Sequence, residues 1–114
     1  MKKTRMLKKN YEFKNVLFKG TYFSGKYIEA FIKKNGKKHN MLGIAISVKI
    51  GKAVKRNHIK RLIRENYNII ENSTKLGYNI VFLWKKKADI QNAKYINIKE
   101  DMYNIFNKAN ILEE

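Results

Sequence analysis

The chain contains no cysteine and no proline. Without cysteine there is no disulfide and no thiolate metal site, and the composition suits a reducing cytoplasm, where the sequence places this protein. Without proline, Gly and Asn must supply the turns, and "NGKKHN" (35–40) is one of them. Acids are scarce too: 9 Asp+Glu stand against 26 Lys+Arg, a net charge of +17 over 114 residues. The longest apolar run, "IVFLW" (80–84), is far too short to cross a bilayer. The opening "MKKTRMLKKNYEFKN" starts like the basic end of an export signal, but no apolar segment follows, so no signal is expected.

What is present is one domain's worth of chain, read as a single domain over residues 1–114. Hydrophobic residues make up 44%, enough to build a core and to exclude wholesale disorder. A surplus of cations this large calls for a polyanionic partner, first of all a nucleic acid. A self-sufficient nuclease would need clustered carboxylates or histidines to hold Mg²⁺ or move protons. The nine acids are scattered without a motif, and His39 and His58 have no partner at ligand spacing. No catalytic residue and no protein-borne metal site are therefore expected. Nor is there a Gly-rich loop ending in Gly-Lys-Ser/Thr.

Along the chain, "NYEFKNVLFK" (10–19) spaces Phe13, Val16 and Leu17 as a short helix, with Asn10 as its expected cap and Gly20 at its end. "TYF" (21–23) reads as a short strand. "KYIEAFIKK" (26–34) alternates, with Ile28, Ala30 and Ile32 on one side and Tyr27, Glu29, Phe31 and Lys33 on the other. "MLGIAISV" (41–48) and "GYNIVFLW" (77–84) are further strands, the first expected to be central, and a "KKK" run (85–87) follows the second. "NIKEDMYNIFNKANIL" (97–112) closes as an amphipathic helix. The order predicts an α+β fold, one sheet with helices packed on it.

The densest chemistry lies in "KAVKRNHIKRLIRE" (52–65). At about 100° per residue, Arg56, Asn57, Lys60, Arg61 and Arg64 fall on one half of a helix, and Ile59, Leu62, Ile63, Ile69 and Ile70 on the other. His58 lies off the basic arc. Like charges four residues apart, as in Arg56/Lys60/Arg64, cost a helix about 0.2–0.5 kcal/mol per pair. A merely solvated face would interleave glutamates; this one has Glu65 at its edge. The arrangement fits phosphate binding, for which the arginine fork is suited. Asn57 can serve either as an anchor for the loop backbone or as an RNA contact. A helix-turn-helix reading conflicts with the strands on both sides. A membrane-surface helix would carry Trp or Phe beside its apolar half.

The stretch "GKAVKRNHIKRLIRE" resembles the RNR motif of the bacterial ribonuclease P protein component. Lys52, Ala53, Val54, Arg56, Asn57, Lys60, Arg61, Arg64 and Glu65 match the motif. The N-terminal "RMLKKNYEFKNVLFKG", the strands before the motif and the strand-helix tail after it agree, so the likeness covers nearly the whole chain. It implies an α-β-β-β-α-β-α sandwich like a ribosomal-protein domain, with a left-handed β-α-β crossover. It implies a subunit that joins a catalytic RNA, in a complex that removes the 5′ leader of precursor tRNA, with Mg²⁺ held mainly by the RNA. Lys52, Arg56, Asn57, Lys60, Arg61 and Arg64 would then bind RNA. Phe13, Leu17 and Phe31 would occupy the leader-binding cleft, where unpaired bases stack on such side chains; as residues alone, Phe13 and Leu17 also read as core contacts. Two positions depart from the family: Glu29 replaces a usual apolar residue beside Phe31, and His58 stands where Arg is common. No membrane and no small-molecule substrate are expected. A ribosomal-type RNA-binding protein without a role in cleavage is the alternative.

Overall fold

The structure, a computed structural model, describes residues 2–113. The elements run β1 (Thr4–Met6), α1 (Asn10–Lys19), β2 (Thr21–Ser24), β3 (Ile28–Lys34), β4 (Asn40–Ala45), α2 (Ala53–Ile70), β5 (Tyr78–Trp84) and α3 (Tyr95–Lys108), with three short 3₁₀ turns between them. One five-stranded sheet has the order β1-β4-β5-β3-β2. β4 pairs in parallel with both β1 and β5, and β3 pairs antiparallel with β5 and β2. β5 therefore occupies the middle, and β4, expected to be central, lies beside it.

Strand alternation splits the apolar side chains between two cores. Ile28, Ala30, Ile32, Leu42, Ile80, Phe82 and Trp84 face one way and pack against Ile59, Leu62, Ile63, Tyr67 and Ile70 of α2 and Ile98, Met102, Ile105 and Phe106 of α3. On the opposite face, Val81 is buried under Leu7 and Val16, with Phe13, Leu17, Phe31, Met41 and Leu83 packed around them. The sheet is thus covered by α2 and α3 on one side and by α1 alone on the other. A single short helix cannot cover five strands, so the α1 face stays partly open.

Leu42 settles the hand of the β4–α2–β5 connection. Its carbonyl accepts the Leu7 N–H at 2.8 Å and so points to β1, while its side chain enters the core beneath α2. In an L-residue these directions fix the rest: seen from the helices with β4 running upward, β5 lies to its left. The crossover is left-handed, against the general rule for parallel strands.

Several sequence expectations need correction. The cap of α1 is Lys9, not Asn10, which is the first helical residue. Lysine has no acceptor to offer, and Glu12 supplies one instead: its Oε1 takes the Lys9 and Lys8 amides at 2.9 and 3.2 Å. Those two backbone hydrogen bonds hold the Glu12 carboxyl below the usual glutamate range. Tyr27 precedes β3 and does not share its alternation; its ring stacks on Trp84 at 6.2 Å, toward the α2–α3 core rather than beside Phe31. Ile69, placed on the apolar half of α2, is 57% exposed, because the helix meets the sheet through a narrower stripe that includes Asn66 and Tyr67. β1 was not expected at all.

Candidate nucleic-acid interface

The basic half of α2 points away from the sheet. Lys52 is the N-cap, and the first turn contains no acid. The positive end of the helix dipole therefore adds to the lysines and arginines instead of being offset. Asn57, Arg61 and Arg64 are exposed, and Arg56 and Lys60 are half-buried. Arg61 sits 3.7 Å from Glu65, but both side chains are at least half exposed, so the pair contributes little and is open to exchange for a phosphate.

Arg56 differs from its neighbours. Its Nη1 donates to the Gly51 carbonyl at 2.5 Å, which ties the helix to the loop leaving β4. The loop-anchoring role that Asn57 could have had is thus filled by Arg56. The Asn57 side chain is exposed, with no hydrogen bond to another described residue. His58, expected off the basic arc, is joined to it: Arg61 Nη2 donates to His58 Nδ1 at 3.2 Å. Arginine can only donate, so the imidazole accepts at Nδ1 and carries its hydrogen on Nε2.

The second region lies on the open α1 face. Phe13, Leu17 and Phe31 come together there, all half-buried, beside Leu83. Phe13 and Leu17 pack on the sheet along one edge, as core contacts, and meet solvent along the other. Sequence reasoning missed Tyr22, whose ring lies 5.2 Å from that of Phe31, its register partner on β2. The Tyr22 hydroxyl donates to Glu29 Oε2 at 2.5 Å, and that bond raises the hydroxyl's pKa above the ordinary tyrosine value. Glu29 is thus held by tyrosine and makes no ion pair with a described lysine. Next to it, Lys26, Lys85, Lys86 and Lys87 line a recess of about 390 Å³ with Glu29 and Ala88. The "KKK" run was the available signal for this recess. Lys85 is held by Ser24 Oγ at 2.8 Å and the Gly25 carbonyl at 3.1 Å; Lys26, Lys86 and Lys87 are exposed.

The described acids are dispersed. Among the described residues no three His, Cys, Asp or Glu side chains gather. Asp101 is buried and accepts the amides of Lys26, Tyr27 and Ile28 at 2.7–3.0 Å. It shapes a turn and has no open side for an ion. No described helix is long and apolar enough to cross a membrane.

A sheet with a basic crossover helix on one face and an open aromatic cleft flanked by lysines on the other defines an RNA-binding α+β protein. The chain belongs to the ribonuclease P protein family, whose model matches residues 1–110. It is 34% identical over 108 residues to the ribonuclease P protein component of Caldanaerobacter subterraneus subsp. tengcongensis, covering 95% of this chain and 91% of that one. With the ribonuclease P protein component of Fusobacterium nucleatum subsp. nucleatum it shares 37% identity, over 93% of this chain and 97% of the relative. Among solved structures, the Staphylococcus aureus RNase P protein matches with a TM-score of 0.81 at 28% identity, over 95% of this chain and 97% of that one. The RNase P protein from Thermotoga maritima matches at 0.82 and 25%, over 91% and 96%.

Proposed function

We propose that this chain is the protein subunit of a ribonuclease P ribonucleoprotein and that it works by binding two RNAs at once. The stripe Lys52, Arg56, Asn57, Lys60, Arg61 and Arg64 docks the catalytic RNA subunit. Phe13, Leu17 and Phe31 hold the unpaired 5′ leader of precursor tRNA. The observation that carries this reading is the separation of the two surfaces: α2 and the α1 cleft lie on opposite faces of one sheet. Catalyst and substrate can then be engaged without competing for the same cations.

In this reading hydrolysis of the leader belongs to the RNA, and Mg²⁺ is held mainly there. What supports it is the use of the protein's carboxylates for structure, with Glu12, Glu29 and Asp101 all occupied by amides or a hydroxyl. The chain's own residues bind and orient. Phe31 and Tyr22 offer aromatic faces to unpaired bases, worth roughly 1–3 kcal/mol per stacked base. Lys26, Lys86 and Lys87 neutralise leader phosphates, which lowers the demand for free Mg²⁺. The work is cytoplasmic and needs neither membrane nor small-molecule substrate.

Reconstitution tests this directly. The protein alone should leave precursor tRNA intact, and adding it to the cognate catalytic RNA should raise cleavage at low Mg²⁺ above that of the RNA alone. Absence of any stimulation would refute the assignment.

A further inference from the structure

The basic face of α2 contains something that phosphate binding does not need. Val54, in the first helical turn, is 81% exposed, although it is flanked by Lys52, Lys55 and Arg56. It forms one wall of a recess of about 370 Å³, lined also by Lys55, His58, Ile90, Gln91 and Ala93. Ile90 opens the 3₁₀ turn that follows β5, and Ala93 caps its end. Ile90 lies against Gly51: a Cβ there would stand 3.3 Å from its Cδ1, so the side chain rests on the same loop that Arg56 holds. A second recess of about 470 Å³ lies beside it, lined by Val54, Asn57, His58, Arg61 and Arg64. Val54 and His58 belong to both. The first recess is walled by Val54, Ile90 and Ala93, and the second is basic, so an apolar and a basic hollow adjoin along the Val54–His58 edge.

A phosphate gains nothing from Val54, Ile90 and Ala93, and a duplex keeps its bases stacked inside. A splayed-out base fits, because it combines flat apolar faces with a polar edge and carries its own phosphates. We propose that these adjoining recesses are a binding site for one unpaired nucleobase of the catalytic RNA and its flanking phosphates. The base lies in the first recess against Val54, His58 and Ile90, with Gln91 at its polar edge; Asn57, Arg61 and Arg64 in the adjoining recess meet the sugar and phosphates beside it. This gives the exposed, unbonded Asn57 a partner and makes His58 part of the interface, its ring held by Arg61. The inference rests on the reading that this face docks the RNA subunit. Charge complementarity and continuity with the basic stripe favour RNA over a peptide as the occupant.

The test measures equilibrium binding of full-length protein to the catalytic RNA over a series of salt concentrations. Val54→Ser and Ile90→Ser remove apolar wall without changing charge. The pair should weaken binding roughly tenfold at every salt concentration, because stacking is not ionic. Its log–log salt slope should match the wild type, whereas Arg61→Ala should lower the slope by about 0.7–0.9. Chemical probing should show one unpaired base of the RNA protected by the wild-type protein and reactive with the double variant. Val54→Ser alone, at an exposed position, should reproduce part of the loss with an unchanged melting temperature. Unaltered affinity of the double variant would overturn the proposal, as would a changed salt slope. A loss of affinity with no single base exposed would overturn it too, and would point to a protein occupant or to duplex shape. If Arg61→Ala and Arg64→Ala also left the slope unchanged, the docking face itself would be wrong.

Discussion

The Phe13 ring rests on the backbone of Gly43. A Cβ at Gly43 would stand 2.5 Å from Phe13 Cε1 and 3.0 Å from Leu7 Cδ1. The missing side chain on β4 is what lets the first turns of α1 sit close to the sheet and places Phe13 at the edge of the cleft. Gly43→Ala should force the ring and the helix outward. Overpacking of this kind costs about 1–3 kcal/mol, readable as a lower denaturant midpoint. The same variant should lose affinity for precursor tRNA while keeping its affinity for tRNA without a leader. Equal loss for both would mean that α1 does not set the cleft.

Arg56 and Arg61 occupy the same basic face but should behave differently. Arg56 holds the Gly51 carbonyl, whereas the polar partners of Arg61 among the described residues are His58 and Glu65, both at the surface. Arg56→Ala should therefore destabilise the fold by about 1 kcal/mol, the usual worth of one such bond, as well as weaken RNA binding. Arg61→Ala should leave stability within about 0.5 kcal/mol of wild type and change only RNA affinity and its salt slope. Thermal melts beside binding isotherms separate the two. A melting temperature that falls for Arg61→Ala and not for Arg56→Ala would contradict the geometry.

Asp101 ties α3 to the turn before β3, and its carboxylate is the sole side-chain acceptor for three successive amides among the described residues. A Cβ on Gly25 would meet its Cγ at 2.6 Å, so nothing larger than glycine fits against it. Asp101→Ala should cost about 3 kcal/mol, since buried donors are left without partners. Hydrogen exchange should locate the damage at the amides of Lys26, Tyr27 and Ile28. Protection retained at those amides would show that the carboxylate is dispensable.

The parts of this molecule that were legible in advance are those written in side-chain period. The alternation of Ile28, Ala30 and Ile32 against Glu29 and Phe31 placed β3 and its two faces, and the spacing of Ile59, Leu62 and Ile63 placed α2 on the core. β1 was invisible because "TRM" is too short to show a period and lies among lysines. It exists because Thr4, Arg5 and Met6 pair with Asn40, Met41 and Leu42, a contact with no local signal. The inner stripe of α2 includes Asn66, a polar residue that an apolar wheel leaves out; its amide donates to the Leu62 and Tyr95 carbonyls at 3.0 and 3.3 Å. The roles of Arg56 and Asn57 depended on the path of the loop at Gly51, which no composition or spacing encodes. The aromatic partner of Phe31 was likewise set by strand register, which brings Tyr22 opposite it.

Tyr67 links that unexpected first strand to α2 and makes the fold sensitive to alkali. Its buried hydroxyl lies 2.8 Å from Thr4 Oγ1 and accepts from Asn40 Nδ2 at 3.3 Å. Burial pushes its pKa above the ordinary tyrosine value, against smaller opposing effects of those two hydrogen bonds. The folded state therefore keeps this proton more tightly than the unfolded chain does. The resulting stability is complete below the unfolded tyrosine pKa, near 10, and is lost as pH rises through the higher folded value. An ultraviolet titration of the seven tyrosines should show late-ionising groups, Tyr67 and the Glu29-bonded Tyr22. Tyr67→Phe should remove one of them. It should also lower stability at neutral pH by about 1–2 kcal/mol, because Thr4 and Asn40 lose a buried partner, and flatten the alkaline decline. A variant with the same alkaline decline as wild type would place the sensitive group elsewhere.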